Sequence, residues 1–114
     1  VLKKENRISK RKEVEEMKKV RSVYQSPIFG LVVLDKKDNG KKFLFVVSKK
    51  ISKRAVDRNR IRRLLSEAVR LNLEKVRQGA RVSFLVRKAI LGKGLEEIKS
   101  EVERVFLKTG VMVK

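Results

Sequence analysis

SKKISKRAVDRNRIRR, residues 48–63, is the stretch on which the reading of the fold turns. Eight of its sixteen residues are Lys or Arg and one is acidic, a net +7 within a chain of 114 residues carrying +19. More than a third of the charge is therefore concentrated in one segment. Strand-like sequence precedes it and helical sequence follows. The pattern predicts a basic connector, Lys49 to Arg54, entering a long helix from about Ala55 to Val76 that ends near Gly79. At 100° per residue, Ile61, Leu64, Leu65, Ala68 and Leu71 share one side of that helix. Asn59, Arg62, Arg63, Ser66 and Arg70 fall opposite, with Arg58 and Arg60 at the two edges of the apolar stripe. Such a helix covers a sheet with one side and turns guanidiniums outward.

Working outward, residues 28–34 (IFGLVVL) and 42–48 (KFLFVVS) have the length and apolar content of strands. Asn39-Gly40 lies between them as a turn signal, and the pair is expected as an antiparallel hairpin. A third strand is expected over 80–88, with Val82, Phe84 and Val86 alternating against Arg81, Ser83 and Leu85. Charged residues 9–21, with Val14 and Met17 in register, predict a short first helix capped by Ser9. Leu95, Ile98, Val102, Val105 and Phe106 predict a closing helix over 95–108. The order αββαβα implies one small α+β sandwich, with three or four strands and helices on one face of the sheet. Residues 1–114 read as a single domain, loose at 1–8 and again over 109–114.

Charge selects the partner. Thirty-two Lys and Arg against 13 Asp and Glu far exceed what solubility needs, and a polyanion is the expected ligand. A merely solvated helix face would mix signs to gain i,i+4 pairs. Within 49–63 only Asp57 could pair. The absence of Cys and His removes disulfides, thiolate chemistry and the usual neutral-pH acid–base group. Asp35 and Asp38 read as turn residues, Asp57 as a helix-start residue, and Glu67 as a partner for a nearby arginine. No carboxylate set for a metal nuclease emerges, so neither a catalytic residue nor a metal ligand is assigned. No apolar run is long enough to cross a membrane, and no apolar stretch of signal-peptide type stands at the start, so a cytoplasmic location is expected. A membrane-surface helix would need its apolar side for lipid, and here that side is needed for the sheet. A strand rather than a short helix precedes the basic helix, which favours RNA over a helix-turn-helix reading of DNA.

Ser48-Lys49-Lys50, followed by Ala55-Val56-Asp57-Arg58-Asn59-Arg60-Ile61-Arg62-Arg63-Leu64-Leu65, resembles the signature of the bacterial ribonuclease P protein family. The likeness extends over most of the chain, including a strand ending in Arg87-Lys88. It implies an unusual left-handed crossover between parallel strands. It also implies a non-catalytic protein subunit of a ribonucleoprotein endonuclease. The partner RNA would carry the Mg²⁺ chemistry that removes the 5′ leader of precursor tRNA, and the protein alone would bind no cofactor.

By position, Arg58, Asn59, Arg60, Arg62 and Arg63 would contact the catalytic RNA, with Lys49, Lys50, Lys53 and Arg54 lining the adjoining loop. Arg70 and Arg87 join this RNA-binding set. The face between sheet and first helix would guide the single-stranded leader, with Phe29 a possible contact. The sequence departs from the family at Ser66, where an arginine is usual. It departs again at Val14, Lys18 and Val32, where aromatics are common, which implies a weaker grip on the leader. A ribosomal-type RNA binder without a processing role is the alternative. The free protein is expected as a monomer.

Overall fold

In a computed structural model describing residues 2–113, one four-stranded mixed sheet is covered by helices on both faces. The first helix is α1 (Arg11–Lys19), followed by a two-residue strand β1 (Tyr24–Gln25) and by β2 (Phe29–Asp35) and β3 (Lys42–Val46). Then come the long helix α2 (Ala55–Arg70), the strand β4 (Ala80–Val86) and the closing helix α3 (Leu95–Thr109). The small α+β class expected from sequence is the one observed.

The expected hairpin is not. The sheet order is β1-β2-β4-β3, so β4 lies between β2 and β3, antiparallel to the first and parallel to the second. A type I′ turn needs positive φ at both central residues, and neither Asn39 nor Gly40 has it. Asp38 instead accepts the Gly40 N–H through its side chain, and the two ends of the 36–40 connection are held apart. Gly79 is wedged between them. The Lys36 N–H donates to the Gly79 carbonyl (2.8 Å) and the Gly79 N–H to the Gly40 carbonyl (2.7 Å). Its φ of +86° and the Lys36 carbonyl oxygen, 2.1 Å from where a Cβ would stand, both require glycine.

β4 earns the central place by composition, since its side chains are wanted on both faces. Val82, Phe84 and Val86 point to the main core, with Phe84 against Phe29 (ring centroids 5.0 Å) and Phe106 (5.9 Å). Arg81 and Ser83, on the other face, are buried too, so the expected alternation of inside and outside fails. The helices do not all share one face. α2 and α3 pack together over Phe29, Leu31, Phe43 and Phe84, whereas α1 lies with Ile8, Met17 and Val32 in a separate small cluster.

α2 is shorter than the periodicity suggests. Asn72, buried, turns its side-chain N–H₂ back to the Ala68 carbonyl, and the chain tightens into a 3-10 turn at Leu73–Lys75. The buried residues of α2 are Ile61, Leu65, Ser66, Ala68 and Val69. That stripe is rotated by roughly 70° from the expected one, because α2 must meet α3 as well as the sheet. Leu71 is consequently exposed, Leu64 only partly covered, and Ser66 buried rather than outward-facing.

Residues near both ends of the described chain pack into the fold. Leu2 and Ile8 are buried, and the Ile8 N–H donates to the Phe43 carbonyl. Gly110 closes α3 in the left-handed conformation, after which Val111 and Met112 are buried and Met112 bridges to Val76. The residue preceding α1 is Lys10, with no side-chain cap; Ser9 does not cap it.

Candidate nucleic-acid interface

β3 delivers the chain to one end of the sheet, and the 47–54 segment turns it into α2. Lys49 and Lys50 sit exposed on a turn, closed by the Ile51 N–H on the Ser48 carbonyl. Ile51 is buried and anchors that turn. Ser52 organises the next bend. Its hydroxyl accepts from the Arg54 N–H and donates to Asp57 Oδ2 (2.9 Å), while its carbonyl accepts from Arg58 Nη1 (2.8 Å). Asp57, the one acid of the segment, is thus committed to holding the helix entry, with Arg54 Nε a further 3.9 Å away. The loop is positively charged and also fixed in shape.

Three arginines of α2 are oriented in a similar way. Arg60 reaches the Lys93 carbonyl, and Arg62 reaches both the Val47 carbonyl and Asn59 Oδ1. With Arg58 on Ser52, each leaves most of its five N–H donors available. Pre-orientation of this kind lowers the entropy lost when a phosphate is clasped bidentately. Asn59, Arg60 and Arg63 are exposed, and Arg58 and Arg62 are partly covered.

Because β3 runs parallel to β4 with Val46 opposite Leu85, Arg87 emerges at the same end of the sheet as Ser48. Lys49, Lys50, Lys53, Arg54, Arg58, Asn59, Arg60, Arg62, Arg63 and Arg87 therefore form one cationic pole. Lys88, exposed and next to Arg87, extends its rim. Strand register places it there, and register is not visible in sequence.

Two residues of the expected set lie outside this pole. Arg70 lies at the far end of α2, where Glu67 accepts from its Nε and Nη2. Arg70 in turn holds the Glu67 carboxyl at about 2. Its charge is answered inside the fold. Phe29 is fully buried against Phe84, with no ring face for a base to stack on.

Between α1 and the sheet runs a groove of about 290 Å³, walled by Val14, Met17, Val20, Val32, Leu44 and Leu85 and edged by Lys18. No aromatic side chain lines it. Phe43, Phe84 and Phe106 are fully buried in the opposite face, and Phe45 packs against Phe84 there.

Comparison with known proteins agrees along the chain. The family model "Ribonuclease P" matches residues 2–110. A protein of Alkaliphilus oremlandii named ribonuclease P protein component is 32% identical over 107 residues, covering 94% of this chain and 93% of its own. Another of that name from Clostridium kluyveri is 36% identical over 107 residues, covering 92% and 95%. Among solved structures, the RNase P protein of Staphylococcus aureus superposes with a TM-score of 0.82 at 21% identity, covering 94% of this chain and 97% of that one. The Thermotoga maritima RNase P protein gives 0.79 at 17% identity, covering 90% and 96%. These two structures bear on the fold.

Proposed function

The chain belongs to the ribonuclease P protein family, and from that membership we propose that its cationic pole is the surface on which the catalytic RNA of ribonuclease P docks. The chain is the protein component of that enzyme. In this reading the RNA performs the Mg²⁺-dependent hydrolysis that frees the 5′ leader of precursor tRNA. The protein supplies fixed charge and position.

One observation carries the reading. The loop 49–54 and the first turns of α2 present eight cations, and among the described residues only Arg54 of these has an ion-pair partner, Asp57, which Ser52 also holds. Like charges so close repel, and Asp57 offsets only a small part of them. RNA phosphates offset the rest, and each contact releases a condensed counterion. Cations fixed beside a dense polyanion replace mobile ones, so less Mg²⁺ is needed for the RNA to fold and to hold substrate. The groove under α1 takes the leader through aliphatic contact and Lys18, which gives a weaker grip than stacked aromatics.

The test is precursor-tRNA cleavage by a bacterial ribonuclease P RNA at low Mg²⁺, with and without the protein. Rescue of correct 5′ cleavage where the RNA alone is slow is the expected result. Binding without rescue, even with the RNA of the same genome, would leave a general structured-RNA binder. Arg58→Ala, Arg60→Ala and Arg62→Ala should each shallow the salt dependence of RNA binding by roughly one unit of slope. Unchanged slope in all three would remove the docking face from this pole.

A further inference from the structure

A second basic surface lies at the opposite end of α2. Residues 3–12 read KKENRISKRK. The segment is fixed to the sheet in spite of its charge. Asn6 Nδ2 donates to the Lys41 carbonyl (2.8 Å), Arg7 pairs with Phe43 as a parallel bridge, and Leu2 and Ile8 are buried. Between this segment and the start of α1 opens a groove of about 530 Å³, lined by Lys3, Lys4, Arg7 and Lys10 with Glu5 and Glu13.

Glu13 offsets Lys10 only in part. Its carboxylate is taken by Lys42 at 2.8 Å, and that hydrogen bond holds its pKa below the ordinary value. Among the described residues, Lys3, Lys4, Arg7 and Lys10 have no carboxylate within ion-pair distance. Four cations against Glu5 leave a net +3 in the groove. Lys10, Arg11 and Lys12 also crowd the start of α1, where the helix dipole disfavours cations. The fold carries this charge at a cost and holds it in place.

This second pole is remote from the first. Leu2 lines a pocket with Arg70 and Leu73, at the end of α2, and the sixteen residues of α2 put about 24 Å between its ends. We propose that the pole formed by Lys3, Lys4, Arg7 and Lys10 binds a second RNA phosphodiester backbone while the α2 pole is occupied, so that the protein braces two RNA segments. A lipid surface fits less well, because the neighbouring apolar residues, Leu2 and Ile8, are turned into the core and cannot enter a bilayer. The proposal rests on the RNA-docking reading above.

The experiment compares the salt dependence of binding to a bacterial ribonuclease P RNA transcript for four proteins. They are the wild type, Lys3→Ala/Lys4→Ala/Arg7→Ala/Lys10→Ala, Lys49→Ala/Lys50→Ala/Lys53→Ala, and the combination. Circular dichroism and thermal melting check each fold. With about 0.9 unit of slope per phosphate contact, the first variant should lose about three to four units and the second about three, with the losses adding. A charge-preserving swap, Lys3→Arg/Lys4→Arg/Arg7→Lys/Lys10→Arg, should keep the wild-type slope.

A wild-type slope in the first variant beside a shallower one in the second overturns the proposal and leaves the docking reading standing. Both readings fall if neither variant changes. Losses that do not add mean one continuous site and overturn the brace, and a loss in the charge-preserving swap marks a structural effect and does the same. If the first variant instead loses binding only to phosphatidylserine vesicles, the patch belongs to lipid and the RNA assignment is wrong.

Discussion

The two faces of the sheet are covered by helices held in opposite ways. α2 buries Ile61, Leu65, Ala68 and Val69 in the main core, and most of its cations at the N-terminal end find no carboxylate. α1 buries only Met17, and its seam is completed by partly covered Val14 and Val20. Ion pairs fasten it to the connection and to β3: Glu16 with Lys36, and Glu13 with Lys42. Apolar area fixes one helix, and charge helps to fix the other. A helix already fixed by its core is free to direct its charge outward, so the difference fits the proposed docking of a polyanion on α2 and leaves α1 as the more easily displaced element.

The contrast is broken most directly at Leu65, which is fully buried. Leu65→Ala should lower stability by roughly 2–5 kcal/mol in urea unfolding, from lost transfer energy and the residual cavity. Leu64→Ala should cost clearly less, because Leu64 is only partly covered. Equal losses at the two positions would mean that α2 sits on the sheet by the stripe the helical period suggests and not by the rotated one observed.

Both faces depend on β4 entering between β2 and β3, and Gly79 permits that entry. Gly79→Ala places a Cβ against the Lys36 carbonyl oxygen at positive φ. The strain alone should cost roughly 1–3 kcal/mol, read as a lower unfolding midpoint. An unchanged midpoint would mean that the connection can yield, and that the central position of β4 is not held there.

The same residues show what sequence can and cannot reveal. The α2 pole was legible because charge, helical period and the Arg58-Asn59-Arg60 signature are local properties. The strand order was not. Asn39-Gly40 is a local turn signal, while the partner that separates β2 from β3 arrives some forty residues later, and its entry depends on one backbone approach at Gly79. Phe29 was ambiguous between core and leader contact because a strand residue's face is set by the partner strand, and pairing with Val86 turns it to the core. The ends were misread for a related reason. Leu2, Val111 and Met112 are isolated apolar residues without periodicity, and only tertiary contact reveals them as anchors. Arg70 looked available by angle, but Glu67 three residues earlier holds it.

On the α1 side the expected effects are smaller. Met17→Ala should cost about 2 kcal/mol, the low end for a buried methionine, since the groove beside it lets the seam collapse. It should also raise amide exchange in α1 while leaving α2 protected. Equal deprotection of both helices would mean that they unfold as one unit and that the contrast between the faces is only geometric.

The smallest effect comes from the clasp itself. Lys42 donates to Glu13, and this hydrogen bond, ahead of any Coulombic contribution, lowers the folded-state pKa of Glu13 from its ordinary 4.5. A depressed carboxylate pKa means that the unfolded chain takes up a proton first as pH falls. The stabilisation is therefore present above about 4.5 and is lost as pH drops through the folded-state value. With the side chain of Glu13 21% exposed, the pair is partly screened, and its contribution should not exceed about 1 kcal/mol. Glu13→Gln should remove that part of the acid destabilisation of α1, flattening its amide-exchange profile between pH 5 and 3 and leaving that of α2 unchanged (about two units of pH span the titration). Raised salt should mimic the substitution. If α1 exchange in Glu13→Gln keeps the full wild-type acid dependence, Glu16 with Lys36 carries the clasp, and the helix is held at the connection and not at β3.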